Sequence, residues 1–376
     1  MRLYKPPFSL LASVVAIGLL APVPSMAASA PSDPLFAKQW AWHNTGQKLG
    51  GRAGLVGADI KLLQAWDYGR GAGVKVGIID QGMWNNHPEF TGRTHVADDP
   101  LSSVLPGSPV SWNFMLPSSL IIPGEHGSHV GGIIAAGANG IGGVGVAPEA
   151  DLYSLEIFDD NVPFQDYMIL SGDQMRLIAK AMDQAGKWNL PIVNMSLGGK
   201  GLSVNITAAA KHHPRTLYVV AAGNETMDND TNPVAPCNTR SPNIICVGAT
   251  NHLDRPASFS NWGKENVDLF APGEDIVSTS LPGARSPGLP GGYQNMSGTS
   301  MATPVVSGVL ALMKSANPQA TAGQLKHALM ASVDKLAVLK NRCRSGGRVN
   351  AYRAARAIGD DDHDGIINID DTGWVS

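Results

Sequence analysis

Basic residues are not in excess. Lys and Arg number 28 against 31 Asp and Glu, a formal net charge of −3, so the charge balance does not suggest a nucleic-acid partner. Long apolar runs are also wanting. Leu10 to Leu20 falls short of the roughly 20 residues that a spanning helix needs. No internal repeat is visible. Cysteine is scarce, at 3 residues, and none stands beside the histidine motifs, which disfavours a cysteine nucleophile. The Gly-rich stretch Gly137 to Pro148 is not followed by Lys-Ser or Lys-Thr, which disfavours a phosphate loop. His126 and His129 have no third ligand at a suitable spacing, which weighs against zinc. What is abundant is Gly, 43 residues, and Pro, 26, spread through a chain of 376 that is 43% hydrophobic. That suits one large globular domain or two small ones, loop-rich and enzymatic in character.

Four motifs carry chemistry. Gly298-Thr299-Ser300-Met301-Ala302-Thr303-Pro304 delivers a serine into an apolar, small-residue run predicted to be helical from Met301 to Met313. A backbone N–H in the first helical turn has no partner within the helix and favours developing negative charge. By itself the stretch reads equally well as an ordinary helix N-cap. Val74 to Gly82 reads as a buried strand ending in Asp80, a carboxylate able to fix a histidine tautomer. His126 to Ala136 reads as a small-residue helix opened by a histidine, and Leu217 to Glu225 as a strand ending in the amide of Asn224. Strand, helix and strand are then predicted over Asp151–Phe158, Ser171–Trp188 and Pro191–Met195, which argues for a parallel sheet with covering helices. A packing helix is predicted over Leu325–Leu339.

The order Asp80, His126, Asn224, Ser300, with these flanks, resembles the subtilisin-like serine proteases, a family whose triad order is long established. The resemblance runs from about Asp33 to about Ala355. It implies an α/β fold, a three-layer sandwich with a mostly parallel central sheet. It further implies Ser300 as nucleophile, His126 as general base and acid, Asp80 as its orienting partner and Asn224 as oxyanion donor. Ser196, Leu197 and Gly198, with Ala222 and Gly223, would bind an extended polypeptide substrate, and Glu225 would lie near the P1 pocket. An α/β-hydrolase esterase is the rival enzyme; it needs Ser before Asp and His and a Gly-x-Ser-x-Gly elbow, and here Ala302 replaces the second Gly. A catalytically inactive, calcium-dependent binding protein of the same fold is the alternative outside enzymology.

The resemblance also implies a structural Ca²⁺ and no catalytic metal. Asn139 and the carbonyls of Gly137, Ile141 and Gly143 match ligand positions, Asp33 matches a leading ligand, and Glu89 in Asn86-His87-Pro88-Glu89-Phe90 falls where Asp is usual. His87 and His129 are expected to be structural. Residues 1–30 look like a signal peptide, which places the chain outside the cytoplasm: secreted, periplasmic or at the cell surface. The catalytic domain is expected over 31–358, and the chain is expected to be a monomer. The sequence leaves no room for the usual folding pro-domain, so a separate folding partner or inhibitor is allowed for. The acidic tail, 359–376, carries Asp360, Asp362, Asp364, Asn368 and Asp371 in a pattern similar to calcium-binding Asp-x-Asp-x-Asp-Gly repeats. Cys237 and Cys246 flank a short loop and suit a disulfide, which would leave Cys343 over.

Overall fold

A computed structural model describes residues 29–96, 124–157, 172–284, 286–359 and 367–369. The signal-like segment up to residue 28 lies outside the described residues, as do Asp360, Asp362, Asp364 and Asp371 of the tail.

Among the described residues nine strands form one sheet. From edge to edge they are Asp334–Lys335, Gly347–Arg348, Leu269–Pro272, Ile244–Thr250, Leu217–Ala221, Ile192–Met195, Lys75–Asp80, Asp151–Glu156 and Thr94–Val96. Every neighbouring pair is parallel except the first. A strand presents successive side chains to opposite faces, and a parallel sheet buries both, so its central strands read as continuous apolar runs. Val76, Ile78, Leu217, Val219, Ile245 and Val247 enter one core, while Ile79, Tyr218, Val220, Ile244 and Cys246 enter the other. Helices Glu125–Ala135, Thr299–Ala316, Ala322–Ala331 and Ala351–Ile358 cover the first face, and Gly172–Lys187 and Val204–His212 the second. The architecture is therefore the three-layer α/β sandwich expected. No helix among the described residues is long and apolar enough to cross a membrane.

Several boundaries moved. The serine helix begins two residues earlier than predicted, at Thr299, which puts Ser300 inside its first turn. The strand predicted to run to Glu225 stops at Ala221, so Asn224 stands in the loop beyond it. The helix predicted over Leu325–Leu339 spans only Ala322–Ala331. Its apolar spacing continues, but Arg348, fully buried, pairs with both Asp254 and Asp334 and draws Asp334 into the edge strand. Losing a partner would leave a buried charge uncompensated, which outweighs local helical preference. At the tail, Ile367 is packed into the first core, and the Asn368 amide donates to the Arg356 carbonyl at 2.7 Å.

Candidate active site

Asp80 is the last residue of a central strand and is buried at 1% exposure. Its Oδ1 accepts the Gln81 N–H at 2.8 Å. His126 Nδ1 lies 2.9 Å and 3.0 Å from the two Asp80 oxygens. A carboxylate accepts, so Nδ1 carries the proton and Nε2 is left as the basic nitrogen. Two glycines permit this approach. A Cβ on Gly127 would stand 1.9 Å from the Gly82 carbonyl oxygen, and one on Gly124 would stand 2.4 Å from Gln81 Cβ. Any side chain at either position would push the histidine helix away from the end of the Asp80 strand.

Pro304 explains a contact that sequence reasoning missed. With no N–H, it cannot donate to the carbonyl of Ser300, four residues back in the helix. Ser196 Oγ donates to that carbonyl instead, at 2.7 Å. In return Ser300 Oγ donates to the Ser196 carbonyl at 3.2 Å. Asn194 Nδ2 supports Ser196 Oγ at 2.9 Å, and Ser307 Oγ supports Asn194 Oδ1 at 2.9 Å. The signal was present in the spacing from Ser300 to Pro304.

Asn224 is held by its oxygen. Oδ1 accepts both the N–H and the hydroxyl of Thr299, at 2.8 Å and 3.1 Å. Only the amide oxygen can accept from an N–H, so the orientation of the amide is determined and Nδ2 faces away from Thr299. A Cβ built on Gly298 would lie 3.5 Å from Ser300 N and 3.7 Å from Asn224 Nδ2. Two N–H donors thus border the same small space beside the serine.

Of the residues expected to flank a substrate, Ser196 and Gly223 both bond to the serine helix. Gly223 N–H donates to Thr299 Oγ1 at 3.2 Å, which ties one wall to the serine helix. Gly223 has φ +106, and a side chain there would meet Asn261 Nδ2 at 2.4 Å. Asn261, fully buried, donates to the Ala222 carbonyl and the Glu225 carboxylate, and accepts the Glu225 and Met227 N–H groups. Glu225 itself is exposed. In the other wall, Leu197 is buried and Gly198 abuts Val234.

The two other histidines of these motifs, His129 and His87, are scaffolding. His129 is fully buried, and its Nε2 donates to the carbonyls of Ile276 and Gln294, both at 3.1 Å. Burial pushes its pKa down to about 3, which keeps it neutral. His87 Nε2 donates to the Gly292 carbonyl, and its Nδ1 accepts the Glu89 N–H. Burial lowers its pKa as well.

Asp33, Glu89 and the 137–143 loop form one cluster. Glu89 Oε1 accepts from Tyr293 OH at 2.8 Å and Gly143 N–H at 3.2 Å, and Oε2 from Asn139 Nδ2 at 3.0 Å. Asp33 Oδ1 accepts the N–H groups of Asn139 and Gly140, but its Oδ2 is buried without a partner. Asn139 Oδ1 accepts the Ile141 N–H. Burial raises both acids, Glu89 to about 7, and the Asp33 charge adds to the rise at Glu89. Two buried carboxylates with no ion pair among the described residues, and one oxygen uncommitted, leave a negative charge that a hard cation fits. Cys237 and Cys246 are joined in a disulfide, and Cys343 is a buried free thiol.

Residues 71–347 match the subtilase family. The chain belongs to that family. This subtilase is 36% identical to Subtilisin E of Bacillus subtilis over 69% of its own length and 60% of that relative's, so it spans less than two thirds of the longer protein. It is 32% identical to Thermitase of Thermoactinomyces vulgaris over 79% of the chain and 94% of Thermitase. Among solved structures, proteases from Pseudoalteromonas arctica PAMC 21717 superpose with a TM-score of 0.68 at 26% identity, covering 88% of this chain and 100% of theirs. A cold adapted subtilisin-like serine proteinase gives a TM-score of 0.59 at 27% identity, covering 83% and 97%.

Proposed function

We propose that this subtilase is an exported serine endopeptidase acting on extended polypeptides. The observation that carries the proposal is the Asp80–His126 pair, its histidine held on a helix that packs against the one bearing Ser300, with the two donors that flank the serine. Ser300 Oγ turns from the Ser196 carbonyl toward His126 Nε2, gives up its proton and attacks the peptide carbonyl. The oxyanion is held by Asn224 Nδ2 and the Ser300 N–H, and Asp80 stabilises the imidazolium. His126 then returns the proton to the leaving amine, and water repeats the sequence on the acyl enzyme. The segments 196–198 and 222–223 flank the substrate, which pairs as an added strand, so recognition leans on backbone more than on sequence.

Export rests on the signal-like residues 1–30, and the substrates it meets would be extracellular or periplasmic proteins. Calcium, when bound, supplies charge neutralisation and cross-linking only. Asp33, Glu89, Asn139 and the carbonyls of Gly137, Ile141 and Gly143 are the residues to hold it, and no catalytic step passes through it. The test is hydrolysis of an unmodified peptide amide by the purified protein with a Ser300→Ala control. Cleavage by the wild type alone supports the proposal; cleavage by both, or by neither, contradicts it.

A further inference from the structure

Behind the substrate groove lies a second layer that the triad does not explain. Gly199–Lys200, which continues the 196–198 wall, pairs antiparallel with Val234–Ala235, and the Gly201 N–H adds a bond to the Pro233 carbonyl at 2.8 Å. Val234 is clamped in turn by Asn238: Oδ1 accepts the Val234 N–H at 2.9 Å, and the Asn238 N–H donates to the Val234 carbonyl at 2.7 Å. Asn238 Nδ2 donates to the Asn229 carbonyl at 2.7 Å.

Asn229 reaches the opposite wall. Its side chain is fully buried, and Nδ2 donates to the Ala222 carbonyl at 2.8 Å while lying 3.3 Å from Cys237 Sγ. Cys237 follows the Val234–Ala235 strand almost at once and is bonded to Cys246, in a core strand of the sheet. The two groove walls leave neighbouring paired strands and both bond to the serine helix, and this polar link joins them a further time from behind, where the disulfide fastens it to the sheet.

We propose that Asn229, braced by the Cys237–Cys246 disulfide, is a positioning residue that sets the spacing of the two substrate walls. This rests on the protease assignment, since it concerns the same groove. A link behind the groove touches neither the nucleophile nor its base. Loosening it should weaken the hold on long substrates and spare the chemistry at Ser300.

The test compares wild type, Asn229→Leu, which is close in size and loses the donor, and the Cys237→Ala/Cys246→Ala double variant. Each is assayed on an extended peptide amide and with a small fluorophosphonate, and amide hydrogen exchange is followed at Gly201. The expected result is a KM for the peptide raised about tenfold in both variants, a fluorophosphonate labelling rate within about twofold of wild type, and faster exchange at Gly201. An unchanged KM, or labelling that falls as far as peptide turnover, overturns the proposal. If wild type neither cleaves nor labels, the protease assignment is what fails. Exchange then decides the link by itself: faster exchange at Gly201 in both variants upholds it, and unchanged exchange overturns it.

Discussion

The Ser300 corner and the Glu89 corner are built from similar parts and point them in opposite directions. Both depend on glycines where no Cβ fits: Gly127 against the Gly82 carbonyl, and Gly142, where a Cβ would stand 1.9 Å from Tyr293 OH. Around Ser300 the donors, Asn224 Nδ2 and the Ser300 N–H, face a shared space, and neither has an acceptor among the described residues. Around Glu89 three donors converge inward on one carboxylate. Donors that converge on a carboxylate hold a scaffold together, and donors that face a common space can receive a group from outside. The corners are connected, because Tyr293 opens the strand Tyr293–Met296, which leads directly to Gly298.

The sharpest break in the comparison comes from the residues proposed to be catalytic. Ser300→Ala and His126→Ala should each lower kcat about a millionfold, a scale known from subtilisin and not calculated from this structure. Their double variant should be hardly worse than either, since neither partner works without the other. Additive losses on a peptide amide substrate would mean the two act separately. Next, Asn224→Ala should lose about 10²–10³ in kcat by removing one oxyanion donor. Gly298→Ala should lose activity on a comparable scale with both donors still in place, because its methyl fills the space between them. Its backbone, at φ 162 and ψ 160, is extended and tolerates any residue, so folding should survive. A fully active Gly298→Ala enzyme would show that the oxyanion sits elsewhere.

Smaller effects sharpen the comparison further. Ser196→Ala leaves the Ser300 carbonyl without its donor and should cost about 1–3 kcal/mol of stability. Adding Pro304→Ala restores an N–H to the helix and should recover part of that loss; a double variant no more stable than Ser196→Ala would discount the exchange of donors. At the Glu89 corner, saturating Ca²⁺ should raise the melting temperature. Binding to the folded state alone contributes about 2.7 kcal/mol at a hundredfold excess over Kd. Identical melting curves in Ca²⁺ and in chelator would mean that Tyr293, Asn139 and Gly143 hold Glu89 unaided.

Much of this was legible in the sequence because the signals were local. Asp80 ends an apolar strand, His126 opens a helix of small residues and Ser300 enters one, so order and flanks together identify the corner. The sheet followed from apolar runs buried on both faces. What was not legible depended on partners far along the chain. The helix predicted to Leu339 ended at Ala331 because Arg348 called Asp334 into the sheet. Ser196 reads as substrate edge alone in the sequence, and its bond to the Ser300 carbonyl, which Pro304 leaves without a helix donor, depends on the fold. Asn229 carries no motif, and its importance comes entirely from where its amide points.

One measurement bears most directly on the claim that Ser300 is a single activated nucleophile. The purified protein is treated with a serine-directed fluorophosphonate, digested, and mapped by mass spectrometry. The geometry predicts one adduct, on the peptide containing Ser300, absent from Ser300→Ala and from His126→Ala. No adduct on wild-type protein, or an adduct on another serine that survives Ser300→Ala, would contradict it.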